Sequence, residues 1–236
     1  MTVENPGPQI IVALDYADSG AALELVSGLD SSMCRLKVGK EMFTRFGPTF
    51  VEQLAAKGFD VFLDLKFHDI PNTVAAACAA VADLGVWMTN VHAAGGRKMM
   101  ETAKERLQQM ENPPMLIAVT ILTSLGQKDI EEIGYPGTPA ENVVRLAQLT
   151  ESSGLDGIVC SPLEVQEVRQ LVGSEFRLVT PGVRPASSGQ DDQTRIMTPK
   201  DALSAGSDYL VVGRPITQAN DPMSALRNIL TEIGAI

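Results

Sequence analysis

The stretch "VFLDLKFHDIPNT", residues 61–73, joins the pattern of a buried strand to the pattern of a helix start. Its first residues are almost all apolar, which is typical of a strand covered on both faces. Pro71 suits the first turn of a helix, and an alanine-rich segment follows it. The stretch therefore predicts one β-strand followed by one α-helix, with Asp64, Lys66 and Asp69 placed within six positions.

The same alternation runs along the whole chain. Eight apolar, β-branched runs predict strands at 10–16, 35–39, 60–66, 88–93, 115–122, 156–161, 177–183 and 208–216. Helix-like segments rich in Ala, Leu and Glu occur at 19–29, 48–57, 72–84, 97–109, 139–153, 162–171, 199–205 and 221–231. Eight strand–helix units in this length predict an α/β fold, a single (β/α)8 TIM barrel formed by one domain over residues 1–236.

An open, doubly wound sheet is the structural alternative. It normally carries a glycine-rich turn after its first strand, and "LDYADSG" at 14–20 does not have one. Two connections, 123–139 and 182–199, are long for a compact domain, and such loops are usually functional. Both follow strands, so a barrel would place both at the carboxyl ends of its strands.

Composition limits the partners and the compartment. The formal net charge of −10 argues against non-specific binding to nucleic acid or to an anionic membrane. The three cysteines are far apart and have no zinc-ligand spacing, so we expect reduced thiols in the core. The start "MTVENPGPQ" lacks a basic and apolar leader, and no apolar run approaches the roughly 18 residues of a membrane span. We therefore expect a soluble, cytoplasmic protein.

Charged residues stand at the ends of the first three predicted strands. Side chains alternate along a strand, so Asp64 and Lys66 point the same way, about 7 Å apart. Asp15 and Lys37 also end apolar strands, so these four groups should converge on the barrel mouth. One interpretation is a structural ion-pair network that plugs the mouth. The other is a catalytic site, since a barrel is normally filled by Val, Ile and Leu, and charges at the carboxyl ends of its strands are typical of catalysis. Asp69 follows the strand and could instead be a carboxylate at a helix start.

Arginine follows glycine after the last two predicted strands, in "PGVRP" at 181–185 and in "VVGRPI" at 211–216. Barrels commonly bind phosphate in these two loops, and arginine offers phosphate a bidentate cationic partner. The pattern therefore favours a phosphorylated ligand. The chain has only two histidines, which excludes a His-rich metal centre, and His92 suits an interior position better than a catalytic one.

Taken together, these motifs closely resemble the orotidine 5′-monophosphate decarboxylase family along essentially the whole chain. The most specific part is "DLKFHDIPNT" at 64–73, which carries the DxKxxD signature of that family. Further matches are "ALDY" at 13–16, "LKVGKEMF" at 36–43, "LTS" at 122–124, "TPGVRP" at 180–185 and "VVGRPI" at 211–216. The resemblance implies decarboxylation of orotidine 5′-monophosphate to UMP, the last step of de novo UMP synthesis, with no metal and no organic cofactor.

The resemblance also implies a role for each matching residue. Lys37, Asp64, Lys66 and Asp69 would form a charged array, in which Lys66 is the proton donor and Asp69 comes from the partner of a homodimer. The ribose would be held by Asp15, by Lys37 and by the partner's Asp69 and Thr73. The remaining substrate contacts would be Thr123 and Ser124 at the pyrimidine, Gln193, Gly213 and Arg214 at the phosphate, Arg184 at the start of a closing loop, and Ile70 and Pro181.

This chemistry explains why three charges stand so close together. Loss of CO2 from the orotate ring leaves a carbanion at carbon 6 without π-delocalisation, so an ammonium group aimed at that carbon can both stabilise and protonate it. Asp64 would lie near the substrate carboxylate, and their repulsion would be relieved as CO2 leaves.

Three other functions stay open at this stage. A metal-dependent sugar-phosphate decarboxylase or hexulose-phosphate synthase shares the DxKxxD pattern and would require Mg²⁺. A Schiff-base aldolase would use Lys66 as a nucleophile, although the neighbouring carboxylates work against imine formation. A nucleotide-binding barrel without turnover would have the same rim.

Overall fold

Eight parallel strands close into a barrel in this computed structural model, which describes residues 7–185 and 197–236. The strands are Ile10–Leu14 (β1), Arg35–Gly39 (β2), Val61–Phe67 (β3), Met88–His92 (β4), Met115–Val119 (β5), Gly157–Val159 (β6), Arg177–Pro181 (β7) and Tyr209–Val212 (β8). Neighbours in sequence are neighbours in the sheet, and β1 closes the barrel by pairing with β8, Ile11 opposite Val211. The predicted barrel is confirmed, and the open sheet is wrong.

Helices alternate with the strands on the outside of the barrel. They are Ser19–Ser27 (α1), Lys40–Ala56 (α2), Pro71–Ala82 (α3), Arg97–Gln108 (α4), Gln127–Glu132 (α5), Pro139–Ser152 (α6), Val165–Arg169 (α7), Pro199–Ala205 (α8), Arg214–Thr217 (α9) and Pro222–Glu232 (α10). Four of them, α3, α6, α8 and α10, begin with proline, whose fixed φ and missing N–H suit the first helical position. Within the described ranges, no helix has the length and apolarity needed to cross a membrane.

Several element boundaries differ from the sequence prediction. Helix α2 begins at Lys40 rather than at 48, because two helical pieces meet at Gly47, whose φ of 64° is not helical. The predicted loop 123–139 contains the short helix α5. The predicted strand 208–216 ends at Val212, and its last residues begin α9 instead. As a consequence Arg214 lies on a helix turn at the barrel rim and not on a strand.

The core has two parts that follow from the alternation of side chains along each strand. Inward-facing residues of the barrel strands, such as Ile11, Phe62 and Met88, form one cluster inside the barrel. Their strand neighbours, such as Ile10 and Leu63, pack with the surrounding helices in two larger clusters. Both faces of the sheet are therefore buried, as the near-continuous apolar strand patterns predicted.

The amino-terminal end of the barrel carries a buried charge, although barrels are normally filled by Val, Ile and Leu. The guanidinium of Arg35 lies 4.0 Å from the ring centroid of Trp87 and 5.2 Å from that of Tyr209. It also pairs with the Asp60 carboxylate at 3.0 Å and donates to the carbonyl oxygen of Pro8. Stacking and pairing together satisfy this cation, so charge inside the barrel is not by itself a mark of catalysis.

The three cysteines are buried and free, as expected from their spacing. Burial raises the pKa of Cys34 and of Cys78 to about 12, and it raises the pKa of Cys160 as well. Each thiol is therefore protonated at neutral pH and behaves as a small apolar side chain.

Candidate active site

A cavity of about 340 Å³ opens at the carboxyl ends of the strands. Its walls come from the barrel interior and from the loops that follow β5, β7 and β8. Among the residues singled out from the sequence, those that line it are Asp15, Lys37, Asp64, Lys66, Thr123, Pro181, Arg184, Gly213 and Arg214. The structure thus brings the charged strand ends and the two arginine loops to one pocket.

The charged side chains form a continuous chain of alternating sign. Lys66 Nζ lies 2.6 Å from Asp64 Oδ1, and Lys37 Nζ lies 3.5 Å from Asp64 Oδ2. Lys37 Nζ also lies 3.7 Å from Asp15 Oδ1. The side chains are 25% exposed for Lys66, 10% for Asp64, 12% for Lys37 and 71% for Asp15. The chain of charges therefore runs from the pocket floor to solvent and lines an open cavity, so it does not plug the mouth.

Asp64 is the central charge of this chain. Burial alone would raise the pKa of its carboxyl, but the positive charges of Lys37 and Lys66 act in the opposite direction and hydrogen bonds to the carboxylate add to them. The net effect is a pKa below the ordinary value for aspartate. Asp64 is therefore an anion at neutral pH.

Strand β3 is irregular where it carries these groups. Leu63 pairs with Thr89 of β4, but the next paired residue of β3 is Phe67, which is opposite Val91. Three residues of β3 thus stand opposite Asn90 alone, and Lys66 has a φ of 54°. Within the residues that the structure describes, Lys66 is the one non-glycine residue with positive φ. The contact between Asp64 and Lys66 therefore arises from a bulge, and the regular strand expected from the sequence is wrong here.

Asn90 is a site residue that the sequence prediction missed. It is fully buried, its Nδ2 donates to Asp64 Oδ1 at 2.7 Å, and its Oδ1 accepts from the backbone N–H of Lys66 at 2.8 Å. The available signal was a polar amide in the apolar run "MTNVH", on the strand next to β3.

The two arginine loops form the opposite side of the pocket. Arg184 is buried after β7, and its backbone N–H donates to the carbonyl oxygen of Met197 at 3.0 Å. Gly213 precedes α9, and Arg214 is the first residue of that helix. Both loops line the same cavity, as a phosphate site would require. Gln193, which the family resemblance assigns to the phosphate, lies outside the described residues.

Other predicted site residues lie outside the pocket of their own barrel. Three exposed residues at the start of α3 do not line the described part of the cavity: Asp69, Ile70 and Thr73. Ser124, which follows β5, is also exposed and does not line it. Asp69 Oδ1 accepts from the N–H of Ile70 at 2.6 Å, so this carboxylate does stand at a helix start. A single barrel therefore does not place Asp69 in the series of alternating charges formed by Asp15, Lys37, Asp64 and Lys66.

His92 ends β4 near the charged chain and is half-buried rather than interior. Its ring centroid lies 5.6 Å from that of His68. Burial lowers the pKa of His92 to about 4; smaller electrostatic effects of His68, Lys40 and Lys66 act in the same direction, and Asp64 acts against them. Its imidazole is therefore neutral at pH 7 and does not add a third cation to Lys37 and Lys66.

No metal centre is evident in residues 7–185 and 197–236. No group of three or more His, Cys, Asp or Glu side chains in these ranges is arranged to hold a metal ion. Asp15, Asp64 and the two lysines instead neutralise one another.

A parallel barrel with a charged pocket at the carboxyl ends of its strands has the architecture of a barrel enzyme. The family model described as "Orotidine 5'-phosphate decarboxylase / HUMPS family" matches residues 8–229. A protein of Psychromonas ingrahamii named orotidine 5'-phosphate decarboxylase is 62% identical over 223 residues, which are 94% of this chain and 95% of the relative. A protein of the same name from Saccharophagus degradans is 57% identical over 228 residues, 97% and 96% of the two chains. The crystal structure of orotidine 5'-phosphate decarboxylase from Lactobacillus acidophilus superposes with a TM-score of 0.86 at 40% identity, covering 96% of this chain and 99% of that one. This chain belongs to the orotidine 5'-phosphate decarboxylase / HUMPS family.

The neutral state of His92 is testable by NMR. The chain has only two histidines, so a His68→Gln variant leaves one imidazole C2–H resonance from the native sequence. We expect His92 to titrate near pH 4 in the folded protein. Since the unfolded chain binds this proton more tightly, near the ordinary pKa of 6.5, His92 should lower stability progressively as the pH falls from 6.5 to about 4. A resonance that titrates at pH 6.5 or above would contradict this environment.

Proposed function

We propose that this protein converts orotidine 5′-monophosphate to UMP and CO2 by direct decarboxylation, with Lys66 as proton donor and with neither a metal nor an organic cofactor. Its family makes the chain a carboxy-lyase, and the proposal specifies its substrate and mechanism. The observation that carries it is the contact of 2.6 Å between Lys66 and Asp64 on the wall of a pocket whose other side carries two arginine loops. A place in de novo pyrimidine nucleotide synthesis and a cytoplasmic location are part of the same proposal.

The reaction step needs an acid at carbon 6 of the pyrimidine. The bond between carbon 6 and the carboxylate breaks, CO2 leaves, and the electron pair stays on the ring carbon. The Lys66 ammonium then transfers a proton from Nζ to that carbon, which gives UMP, and the amine regains a proton from solvent. An ammonium held in place before the reaction stabilises the developing negative charge without reorganising at the moment of bond cleavage.

Asp64 has two functions in this proposal. Its carboxylate fixes Lys66 Nζ through Oδ1 and Lys37 Nζ through Oδ2, so both cations have defined positions. Because it is ionised, it also repels a substrate carboxylate bound beside it, and this repulsion disappears when neutral CO2 forms.

The rest of the pocket suits a nucleotide. Arg214 and the backbone of Gly213 bind the phosphate together with Gln193, and Arg184 starts the loop that closes over it. Asp15 and Lys37, near the pocket edge, bind the ribose hydroxyls. Thr123, which lines the pocket, and its neighbour Ser124 contact the pyrimidine, and Pro181, also in the pocket wall, contacts the substrate. Binding energy from a distant phosphate can then be used to order the reacting end of the site.

A homodimer completes the site in this proposal. Asp69, Ile70 and Thr73 are exposed and are not among the residues that line the described pocket of their own barrel, and Ile70 leaves 67% of its surface in solvent. An exposed isoleucine between two polar side chains suits contact with a second copy of the chain. In the dimer, Asp69 joins the charged array of the neighbouring barrel, and Thr73 contacts its ribose.

The alternative functions require a metal ion, a different role for Lys66, or no catalysis. A sugar-phosphate decarboxylase or hexulose-phosphate synthase on this barrel requires Mg²⁺ for its enediolate. A Schiff-base aldolase requires Lys66 as a free nucleophile, whereas Lys66 Nζ is held in an ion pair with the Asp64 carboxylate at 2.6 Å. A silent nucleotide-binding barrel binds UMP without turnover.

The direct test is the fall in orotidine 5′-monophosphate absorbance after addition of the purified protein in excess EDTA. We expect rapid conversion to UMP, and borohydride added with substrate should trap no covalent adduct. Activity that disappears with EDTA and returns with Mg²⁺ would support the metal-dependent alternative. Binding of UMP without any conversion would contradict the proposal and leave a sister reaction on another substrate or the silent binder.

Mixing of inactive variants tests both Lys66 and the shared site. Lys66→Ala and Asp69→Asn should each lower kcat by orders of magnitude, because the first removes the acid and the second alters the array of the partner. When the two are mixed and allowed to exchange subunits, half of the dimers are mixed and one of their two sites is native, so about a quarter of full activity should return.

The matched control mixes Lys66→Ala with Asp64→Asn. Both changes alter the barrel's own contribution to the pocket, so no mixed dimer contains a native site and activity should stay low. Failure of the Lys66→Ala and Asp69→Asn mixture to regain activity, with subunit exchange verified, would contradict the shared site.

A further inference from the structure

We infer that Asn90 is a positioning residue, whose side-chain amide holds both the Asp64 carboxylate and the backbone of Lys66 in the geometry needed for proton transfer. The inference rests on the proposed function and extends it to a residue outside the charged array. Asn90 does not line the described pocket, so it acts through its two neighbours on β3.

The two hydrogen bonds of Asn90 fix the orientation of its amide. Asp64 is an ionised carboxylate and accepts hydrogen bonds only, so it pairs with the Asn90 Nδ2 donor at 2.7 Å. The backbone N–H of Lys66 is a donor, so it pairs with Asn90 Oδ1 at 2.8 Å. Exchange of the amide oxygen and nitrogen would break both contacts. The site therefore needs a side chain with one donor and one acceptor at this spacing.

The bulge in β3 explains why a side chain is needed there. Between the pairs Leu63–Thr89 and Phe67–Val91 the ladder to β4 is interrupted, and the N–H of Lys66 bonds to Asn90 Oδ1. A buried backbone N–H without a partner is unfavourable. Lys66 also has a φ of 54°, a region that side-chain-bearing residues rarely occupy and that persists only when the surroundings hold it. The amide of Asn90 is the contact that holds it.

The same amide restricts the rotation of the Asp64 carboxylate. Asp64 Oδ1 accepts hydrogen bonds from Lys66 Nζ and Asn90 Nδ2, and Asp64 Oδ2 forms an ion pair with Lys37. Asn90 is neutral, so its loss removes no charged side chain from the array, but it removes one hydrogen bond that holds and stabilises the Asp64 carboxylate. Proton transfer is sensitive to such changes, since a displacement of about 1 Å can cost roughly 100-fold in rate.

A matched control lies next to Asn90 on the same strand. Thr89 is also fully buried, and its hydroxyl donates to the carbonyl oxygen of Leu63 on β3 at 3.1 Å. Because side chains alternate along β4, Thr89 points to the opposite face and has no contact with the charged array. Thr89→Val keeps the shape of the side chain and removes one buried hydrogen bond. It therefore shows how much activity is lost when a buried hydrogen bond of β4 is removed away from the charged array.

The experiment compares Asn90→Ala, Asn90→Asp and Thr89→Val by kcat, by KM for orotidine 5′-monophosphate and by Kd for UMP. We expect Asn90→Ala to lower kcat by roughly 100-fold with KM and Kd within about threefold, because phosphate and ribose contacts lie elsewhere. Thr89→Val should keep its kcat even if its Tm falls. Unchanged kcat in Asn90→Ala, a loss confined to KM, or an equal loss in Thr89→Val would overturn the inference.

The Asn90→Asp variant separates positioning from folding, because it has nearly the same shape. The introduced carboxyl group can both donate and accept a hydrogen bond, as the Asn90 amide does, only when it is protonated. The adjacent Asp64 anion favours this protonated form. Its kcat relative to wild type should therefore rise as the pH is lowered, whereas the corresponding ratio for Asn90→Ala should stay flat. A flat ratio for Asn90→Asp would count against the inference.

A crystal structure of Asn90→Ala makes the test independent of the proposed function. We expect the Lys66 φ to leave the positive region and the contact between Lys66 Nζ and Asp64 Oδ1 to lengthen. An unchanged φ and an unchanged contact would overturn the positioning role whatever reaction the protein catalyses. Lack of wild-type turnover would instead count against the proposed function alone.

Discussion

The ionised carboxylate of Asp64, buried between two lysines, is the interaction on which the rest of the site depends. A carboxylate that is 10% exposed stays charged only if positive groups and hydrogen bonds compensate for lost hydration. Lys37, Lys66 and Asn90 supply that compensation. In return, Asp64 keeps two ammonium groups close together at the pocket, where their repulsion would otherwise separate them. The arrangement is thus stable only as a set.

The barrel makes this set possible because its parallel strands end at one rim. Asp15 follows β1, Lys37 lies in β2 and Asp64 lies in β3, so adjacent strands deliver alternating charges to one wall of the pocket. The loops after β7 and β8 deliver Arg184 and Arg214 to the opposite wall. The buried charge at the other end of the barrel has a different setting, because Arg35 packs against the Trp87 and Tyr209 rings and pairs with Asp60. The candidate active site therefore differs from the buried Arg35 cluster in its open pocket, since both contain charged side chains.

The sequence predicted the features that depend on local pattern. The strand and helix order followed from alternating apolar runs, and prolines such as Pro71 marked helix starts accurately. Predictions failed where tertiary contacts decide the backbone. Gly47 interrupts α2, and the bulge around Lys66 depends on an amide from another strand, which no pattern within β3 reveals. The role proposed for Asp69 requires a second chain, so neither the sequence pattern nor one barrel defines it; the family resemblance suggested it.

In the proposed reaction, the charged array acts on carbon 6 of a bound pyrimidine nucleotide. A crystal structure of the protein with UMP tests it most directly. We expect Lys66 Nζ to lie within about 3.5 Å of carbon 6, with Arg214 at the phosphate and Asn90 still bonded to Asp64. A pyrimidine ring bound away from Lys66, or a phosphate outside the loops after β7 and β8, would contradict it.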